Sequence, residues 1–493
     1  MSAIITNQEM KCYNPATGKH LENVPISTSK QIEETFLKSK SAAKSFNLST
    51  ISQRKTLMNR FRKAIVNRMD DFIQTICSET GKKQFEAMLE VMISADLMKN
   101  QSKHAKKALA SEKRSPGIYL HKRGKVEHRP FGVAGIISPW NYPLILTISP
   151  VAEALLAGNT VVLKPSEQTP LTSILLKNIF DSIADNPDIF QILPGAAETG
   201  KAIVESKYAD IICFTGSTAI GKIIAQSCGE RLKPCILELG GKDAMIVLED
   251  ANLKRAAKAC IWGGFSNAGQ TCISIERVYV CESVFERFVE LLKKEMANLT
   301  CGPNPENRVG AMTMKSGLAK VKAQIQEAES KGCAIYSIPQ LEDATRFIPP
   351  TLVFDPPEDL EICSDETFGP VISIHKVEDE KEAIERTNQS QYGLAANIFT
   401  KNKRRGRKIA SKIQAGMICI NDALIGYALA ELPFGGMKDS GIGRVHGLEG
   451  LKAFSQQVSI VENRITLGKE FWWYDLSEKF HGTMKKIIRF WYG

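Results

Sequence analysis

The chain has 493 residues, of which 43% are hydrophobic and 24% charged, a composition typical of a folded globular protein without long disordered segments. The length exceeds what one hydrophobic core usually supports, so more than one domain is expected. The net charge of +10 permits attraction to anionic surfaces. The basic stretches at Lys103 to Arg129 and Lys401 to Lys408 lack a regular interleaving of aromatic residues, and we therefore expect no nucleic-acid partner.

Cysteine and histidine usage bears on compartment and metal content. The twelve cysteines are scattered from Cys12 to Cys419 without a C-x-x-C pair, and the seven histidines show no metal-ligand spacing. This predicts a reducing compartment and no metal site. The first twenty residues lack the apolar core of a secretory signal, and no window reaches about 18 consecutive apolar residues. We expect a cytoplasmic protein without a membrane-spanning helix.

The first part of the chain is predicted to be helical. From Ser29 to Leu109 apolar residues recur at three- and four-residue intervals, with one long helix from Arg54 that ends at Gly81. Between Pro116 and Pro130 the residues alternate and are interrupted at Arg123-Gly124, which predicts a hairpin of two exposed strands. Because this arm is too polar for a core, we expect it to bridge to another subunit.

From Phe131 to Gly241 short apolar runs alternate with helical stretches. Strands are predicted near Gly132 to Ile137, Thr160 to Leu163 and Asp210 to Phe214. Strands that are apolar on both faces are typical of a parallel sheet covered by helices on both sides. The pattern predicts a doubly wound nucleotide-binding domain whose ligand lies beyond the carboxyl ends of the strands.

A second alternation of strands and helices begins after Asp250. It predicts a second α/β domain, with the junction between Glu238 and Asp250. The strands are expected near Arg277 to Cys281, Phe347 to Phe354, Val371 to Val377, Ala396 to Thr400 and Met417 to Asn421.

Two segments at strand ends of the first domain could bind a nucleotide. The strand-to-helix turn at Ser217 could offer backbone N–H groups to a phosphate, or could simply cap the helix. Lys164 and Glu167 could hold the ribose hydroxyls of an adenine nucleotide, the carboxylate disfavouring a 2′-phosphate, or could form a surface ion pair.

Three further residues could carry chemistry. Asn141, between two prolines, could donate to a developing oxyanion or be a turn residue. Glu238, before paired glycines, could be a general base or a helix-capping anion. Cys272, in a turn-prone loop before a strand, could be a nucleophile or a small buried apolar residue.

Seven motifs in chain order resemble those of the aldehyde dehydrogenase superfamily, NAD(P)-dependent and of the hydrolytic type. The resemblance extends from about Tyr13 to Glu462, and the motifs are PWNYP, KPSE-x-TP, FTGST, ELGGK, GQTC, ETFGP and PFGGMKDSGIGR. It implies Cys272 as nucleophile, Glu238 as general base and Asn141 in the oxyanion hole.

The resemblance also implies binding residues, a cofactor and an assembly. The cofactor is NAD, with NADP possible, and the assembly is a homodimer or homotetramer. The implied cofactor-binding residues are Trp140, Lys164, Glu167, Ser217, Glu366 and Phe368. The implied lining of the aldehyde channel is Tyr142, Phe265, Ile273 and Phe434.

The pattern and the resemblance together predict α/β architecture in three parts. The cofactor-binding domain comprises residues 1–115 and 131–240, and the chain returns to it at 435–454. The catalytic domain comprises residues 241–434, and a small β oligomerisation element combines 116–130 with 455–465. Residues 468–493 form a C-terminal tail.

The expected reaction is oxidation of an aldehyde to the carboxylic acid through a thiohemiacetal and a thioester on Cys272. A glutamate at position 238 favours water as the acceptor of the acyl group. The apolar channel residues favour a medium- or long-chain aliphatic or an aromatic aldehyde. The alternatives are a semialdehyde dehydrogenase using NAD or NADP, and a catalytically silent binding protein of this fold.

The tail is aromatic, basic and amphipathic. Trp473, Phe480, Met484 and Trp491 recur at helical spacing, and Gly482 is predicted to interrupt the helix. The segment carries too many charges to span a bilayer. Peripheral membrane contact is favoured over a lid on the substrate entrance or a contact within the oligomer.

Overall fold

The computed structural model describes residues 4–5, 8–339, 345–470, 472–474 and 477–493. A small antiparallel sheet and a group of helices begin the chain. The strands are β1 (Ile4–Ile5), β2 (Glu9–Tyr13) and β3 (His20–Pro25). The helices are α1 (Ser29–Phe46), α2 (Ile51–Asn67), α3 (Met69–Thr80) and α4 (Gln84–Leu109).

Local capping explains the bounds of these helices. Thr28 and Thr50 each form a reciprocal capping box with the glutamine three residues later. Gly81 ends α3 with φ of +77°, a left-handed conformation that glycine adopts without strain. The helix expected from Arg54 to Gly81 is broken at Arg68, where α2 ends and α3 begins.

The polar arm contains two strands, β4 (Glu112–Arg114) and β5 (Lys122–Pro130). Its predicted hairpin turn at Arg123-Gly124 is wrong. Both residues lie inside β5, where Gly124 pairs with Arg114. The turn lies in residues 115–121, which include Pro116 and Gly117 at φ of +59°. Proline and a left-handed glycine break the strand there more effectively than Gly124 does.

The first large sheet is doubly wound, as predicted. Its strands are β6 (Val133–Ile137), β7 (Thr160–Lys164), β8 (Phe190–Ile192), β9 (Ile211–Thr215) and β10 (Cys235–Glu238). Its helices are α5 (Ile145–Ala157), α6 (Pro170–Ile183), α7 (Ala197–Glu205) and α8 (Thr218–Glu230). The parallel order is β8-β7-β6-β9-β10, so the winding reverses between β6 and β9. Ligands bind such sheets outside the carboxyl ends of the strands at this reversal.

The second large sheet has the order β13-β14-β15-β12-β11-β17-β18 and is parallel except for the pair β13 and β14. The strands of this part of the chain are β11 (Asp243–Val247), β12 (Ile275–Cys281), β13 (Ala334–Ser337), β14 (Thr351–Phe354), β15 (Val371–Val377), β16 (Tyr392–Gly393), β17 (Ala395–Phe399) and β18 (Met417–Ile420). The helices are α9 (Leu253–Phe265), α10 (Phe285–Met296), α11 (Lys315–Ser330), α12 (Glu361–Ser364), α13 (Glu380–Gln389) and α14 (Lys403–Ala410).

The C-terminal part of the chain returns to earlier elements. Its elements are α15 (Ile425–Ala428), β19 (Met437–Lys438), β20 (Gly441–Ile442), α16 (Gly447–Ala453), β21 (Ser455–Asn463) and α17 (Glu478–Tyr492). Strand β20 pairs antiparallel with β10, and the predicted return of residues 435–454 to a cofactor-binding domain stays a prediction. Strand β21 lies beside β5 in the sheet β21-β5-β4.

The contacts of the chain divide it into two compact units, Met1–Leu109 with Arg129–Gln456, and Ala110–His128 with Gln457–Gly493. The predicted division into cofactor-binding and catalytic domains stays a prediction.

Gly482 lies inside α17, so its predicted interruption of the helix is wrong, and three residues of the predicted tail, at 471, 475 and 476, lie outside the described residues. No described helix is long and apolar enough to cross a membrane. Within the described ranges, no group of three His, Cys, Asp or Glu could hold a metal ion.

Candidate active site

The carboxyl edge of the first sheet carries most of the predicted site residues. Trp140 and Asn141 follow β6, Lys164 ends β7, Ser217 follows β9 and Glu238 ends β10. Because these strands are parallel, their carboxyl ends meet at one edge. The Gly216 N–H donates to the Glu238 carbonyl over 3.0 Å and connects the ends of β9 and β10.

Ser217 and the Lys164–Glu167 pair offer groups suited to a nucleotide. Ser217 is the N-cap of α8, and its side chain makes no capping hydrogen bond to the described residues. Lys164 Nζ lies 2.7 Å from Glu167 Oε2. Burial acts to raise the pKa of Glu167, but the Lys164 ammonium outweighs it and holds that pKa below its ordinary value. Glu167 therefore presents a carboxylate at the end of β7.

Glu366 and Phe368 precede β15 of the second sheet and contact residues that follow strands of the first sheet. The Phe368 ring packs edge-on against Trp140, with ring centroids 5.6 Å apart. Glu366 accepts from the Gly241 N–H over 3.1 Å, and a Cβ on Gly240 would lie 2.8 Å from its carboxylate. Burial and the nearby Glu276 raise the pKa of Glu366 to about 7. These residues, with an uncapped serine at a helix N-terminus, fit an adenine dinucleotide across β6 and β9.

Cys272 lies in a loop with strained backbone. Asn267 and Ala268 have φ of +52° and +55°, and Gly269 follows at +71°. A Cβ on Gly269 would lie 2.1 Å from the Gly369 carbonyl, and one on Gly241 would lie 2.7 Å from the Cys272 carbonyl. The loop therefore packs closely against the backbone near Gly241 and Gly369. Side chains at Gly241 or Gly269 would clash there and displace Cys272.

A buried ion pair fixes the loop that carries Asn141. Lys82 Nζ lies 2.7 Å from Glu90 Oε2, both side chains are fully buried, and the ammonium also donates to the Asn141 carbonyl over 2.8 Å. The other Glu90 oxygen accepts from the N–H groups of Leu144 and Ile145. Such a satisfied pair positions the backbone, whereas removing one partner would leave a buried charge.

The amide nitrogen of Asn141 uses one of its two hydrogens in a hydrogen bond to the described residues. Its Nδ2 donates to the Gln270 carbonyl over 3.0 Å, and Asn267 Nδ2 donates back to the Asn141 carbonyl over 3.0 Å. An amide nitrogen has two hydrogens. The second hydrogen remains for another acceptor, and the role of Asn141 as donor to an oxyanion stays a prediction.

Glu238 is a buried carboxyl group with unused hydrogen-bonding capacity. It is 6% exposed, and neither carboxylate oxygen has a hydrogen-bond partner among the described residues. Burial raises the pKa of Glu238 well above its ordinary value, although Arg444 acts in the opposite direction. A Cβ on Gly435 would lie 2.8 Å from Glu238 Oε1, so that glycine makes room for the carboxyl group.

Cys272 shares this environment. Burial raises the pKa of its thiol above the ordinary value, and the acidic neighbours Asp243, Glu238 and Glu366 act in the same direction. A hydrogen bond from the Ile273 N–H opposes them only partly. The resting side chain is therefore a thiol at neutral pH, and a base must take its proton.

A small cavity of about 20 Å³ lies between Cys272 and Glu238. Its other walls are mainly apolar and include Phe434, Tyr427 and Val445, with Thr215 as a further polar residue. One water molecule needs about 10–15 Å³ of such volume and at least two polar partners. The cavity therefore has room for one water beside the sulfur, with the orphaned Glu238 oxygens as acceptors.

A larger cavity of about 120 Å³ opens from Cys272 and is mainly apolar. Of the four predicted channel residues, Tyr142 and Ile273 line it and Phe434 lines the small cavity. Phe265 lines neither: it is 3% exposed and packs in the core of the second sheet. That prediction is wrong because closeness in sequence to the Cys272 loop does not fix the direction of a side chain at the end of α9.

Several lining residues carry no motif and were missed. Leu89 and Ile93 come from α4, Trp262 from α9, and Leu424 and Tyr427 from the region of α15. The amphipathic pattern of α4 shows that it has an apolar face but not what that face covers. Tyr427 lines both cavities, and its ring packs edge-on against Phe434 at 4.7 Å.

Comparisons with known proteins identify the family and support the fold. The aldehyde dehydrogenase family matches residues 4–460. A 4,4'-diapolycopene aldehyde oxidase of a Methylomonas species is 36% identical over 97% of this chain and 91% of its own length. A putative NADP(+) succinate-semialdehyde dehydrogenase of Mycolicibacterium smegmatis is 36% identical over 91% and 88%. The crystal structure of a Mycobacterium tuberculosis aldehyde dehydrogenase complexed with NAD+ superposes with a TM-score of 0.89 at 31% identity, over 94% of this chain and 96% of that chain.

Proposed function

The chain belongs to the aldehyde dehydrogenase family, and from that premise we propose that it oxidises apolar aldehydes to carboxylic acids through a thioester on Cys272. The observation that carries the proposal is the cavity of about 20 Å³ between Cys272 and the orphaned carboxyl oxygens of Glu238. A nucleophile, a base and room for one water are the parts that thioester hydrolysis requires. These residues also argue against the catalytically silent alternative.

The first half of the reaction forms the thioester. The Cys272 thiol releases its proton to solvent water, and the sulfur of the thiolate adds to the aldehyde carbon. Asn141 Nδ2–H stabilises the oxyanion of the thiohemiacetal, a contact that contributes about 2.7–4 kcal/mol in comparable sites. When bound, a nicotinamide dinucleotide would supply the acceptor for the hydride that leaves this carbon.

The second half releases the acid. The Glu238 carboxylate deprotonates the water in the small cavity, the resulting hydroxide adds to the acyl carbon, and the sulfur leaves as a thiolate that takes the proton from Glu238. Because the walls beside Glu238 are apolar, its carboxylate is weakly solvated and more basic than an exposed glutamate. Tyr427 and Phe434 exclude further solvent from this space.

We propose NAD as the preferred cofactor, with NADP as a possible substitute. The Glu167 carboxylate at the end of β7 favours ribose hydroxyls and repels a 2′-phosphate. A solved relative is complexed with NAD+, whereas a relative of similar identity is named for NADP(+). Trp140, Lys164, Ser217, Glu366 and Phe368 are the other residues that we assign to the cofactor.

The large cavity supports an apolar substrate, of medium or long chain or aromatic. None of the described residues lining it is Lys or Arg, and two acidic residues, Glu86 and Glu90, are part of the wall. Both carboxyl groups accept backbone N–H groups, and Glu90 is also paired with the buried Lys82. The relative named as a 4,4'-diapolycopene aldehyde oxidase aligns over 97% of the chain at 36% identity.

A semialdehyde dehydrogenase is the second candidate, because a relative of equal identity is named as a putative succinate-semialdehyde dehydrogenase. Such a substrate would bring a second carboxylate into a cavity without a described cation. Burying an unpaired charge is costly.

A panel of aldehydes with each cofactor decides between the two candidates. We expect NADH formation with hexanal and benzaldehyde, at a kcat/KM at least about tenfold above that for succinate semialdehyde, and higher with NAD than with NADP. The measurement is the initial rate of cofactor reduction, followed by the absorbance of the reduced nicotinamide ring at about 340 nm. A preference for succinate semialdehyde would contradict the apolar assignment and support the second candidate.

The helix α17 supports a peripheral membrane contact. Most of its apolar side chains are exposed, with Phe490 at 86% and Trp491 at 63%. Lys485, Lys486 and Arg489 lie on the same helix. Basic residues near an anionic bilayer contribute about 1 kcal/mol each. We propose that α17 lies in the interface of anionic membranes.

Deleting residues 477–493 is expected to remove co-sedimentation with anionic vesicles while leaving NADH formation with hexanal unchanged. The variant Lys485→Glu/Lys486→Glu/Arg489→Glu should do the same. The matched control is Lys403→Glu/Arg404→Glu/Lys408→Glu, which reverses three exposed cations of α14. Undiminished binding after the deletion would eliminate the membrane role of the tail.

The sheet β21-β5-β4 supports the proposed assembly into a homodimer or homotetramer. Strand β21 is an edge strand of this sheet, and its side chains are largely exposed, with Val461 at 70%. Unpaired strand edges are templates for pairing with another chain.

A further inference from the structure

The mouth of the large cavity is surrounded by exposed apolar side chains. On α4, Leu89 and Ile93 line the cavity, while Phe85, Met88 and Met92 are 56%, 44% and 58% exposed. The helical period places these three residues on a stripe directly beside Leu89 and Ile93. Over the two turns from Phe85 to Ile93 the apolar surface therefore continues from the cavity to the outside.

Two other elements repeat this arrangement. Trp262 of α9 lines the cavity and is itself 42% exposed. Leu424 and Tyr427 line it as well, while Ile425 and Leu429 beside them are 42% and 47% exposed. The exposed set is named the apolar collar here and consists of Phe85, Met88, Met92, Trp262, Ile425 and Leu429.

The cavity is too small for a long chain. A cavity of about 150 Å³ holds one benzene ring of six carbons, so the 120 Å³ here accommodates about five carbons beyond the reacting group. The carbonyl carbon must lie at Cys272 for the reaction to occur. The remainder of a longer unbranched chain must then leave through the mouth and cross the collar.

We propose that the apolar collar is a second substrate subsite, which binds the distal hydrocarbon chain of aldehydes too long for the cavity. The inference rests on the proposed function and extends it to long-chain aldehydes. Contiguous exposed apolar surface commonly marks a binding site. Two of the six collar residues are methionines, whose unbranched side chains adapt to a flexible chain.

The subsite predicts how kcat/KM depends on chain length. Complete burial of one methylene is worth about fourfold, and contact on one side about twofold. For the wild type we expect kcat/KM to rise with chain length inside the cavity and to keep rising, by about twofold per methylene, beyond about six carbons.

The test compares two variants over unbranched aldehydes from about four to about twelve carbons. Met88→Gln/Met92→Gln makes the collar polar while keeping helix propensity and side-chain length. The matched control, Leu37→Gln/Met69→Gln, changes two residues of α1 and α3 that are 46% and 44% exposed and line neither cavity. We expect the collar variant to lose the increase beyond about six carbons and to keep its rate with butanal, and the control to match the wild type.

The outcomes test the collar subsite and the proposed function separately. An unchanged chain-length profile in the collar variant would overturn the subsite, even if the variant lost vesicle binding or self-association. If the collar variant also loses activity with butanal, Leu429→Gln repeats the test from the opposite side of the mouth, and a profile unchanged there overturns the proposal. Wild-type protein that oxidises no aldehyde would instead overturn the proposed function.

Discussion

Cys272→Ala is expected to abolish NADH formation from hexanal, with a loss of about 10⁴-fold or more, because the proposed covalent intermediate forms on the Cys272 sulfur. The side chain is partly buried and small, so the substitution leaves the fold intact. The measurement is kcat with saturating cofactor, together with NADH binding followed by fluorescence.

The matched control is Cys333→Ala, which removes a thiol that lines neither cavity. It should retain wild-type activity, and both variants should bind NADH. Substantial turnover by Cys272→Ala would show that another residue is the nucleophile.

Glu238→Gln is expected to separate the two halves of the reaction. The amide has nearly the same shape and fits the apolar pocket, but it cannot accept a proton from water. We expect an initial burst of about one NADH per active site, followed by steady-state turnover about 10²–10⁴-fold below that of the wild type. Rapid mixing, followed by the absorbance of the reduced nicotinamide ring at about 340 nm, measures both phases.

The pH dependence of the wild type follows from the same group. Burial raises the pKa of Glu238, so the reactive carboxylate gains population as the pH rises. Steady-state turnover should therefore increase with pH.

Unchanged steady-state turnover in Glu238→Gln would refute the assignment of the base.

The sheets could be predicted because their strands are apolar on both faces. Strand β7 was expected at Thr160 to Leu163 and occurs at Thr160–Lys164, and every residue in it is buried. Motifs at strand ends led to Lys164, Ser217 and Glu238, since parallel topology brings those ends together.

Other features depend on packing that the sequence does not display. The Arg123-Gly124 turn was wrong because Gly124 is tolerated inside a strand opposite Arg114. Leu89, Ile93 and Tyr427 carry no motif, and only the approach of α4 and α15 to Cys272 makes them cavity walls. The ion pair between Lys82 and Glu90 was missed for the same reason, since neither residue is near Asn141 in sequence.

The acyl-enzyme of Glu238→Gln provides the most direct test of the account. The variant is mixed with hexanal and NAD, quenched in acid during the burst and digested, and its peptides are weighed by mass spectrometry. We predict a hexanoyl group on the peptide that contains Cys272, absent from Cys272→Ala/Glu238→Gln. An acyl group on another cysteine, or a full NADH burst without any acylated peptide, would contradict a thioester at Cys272.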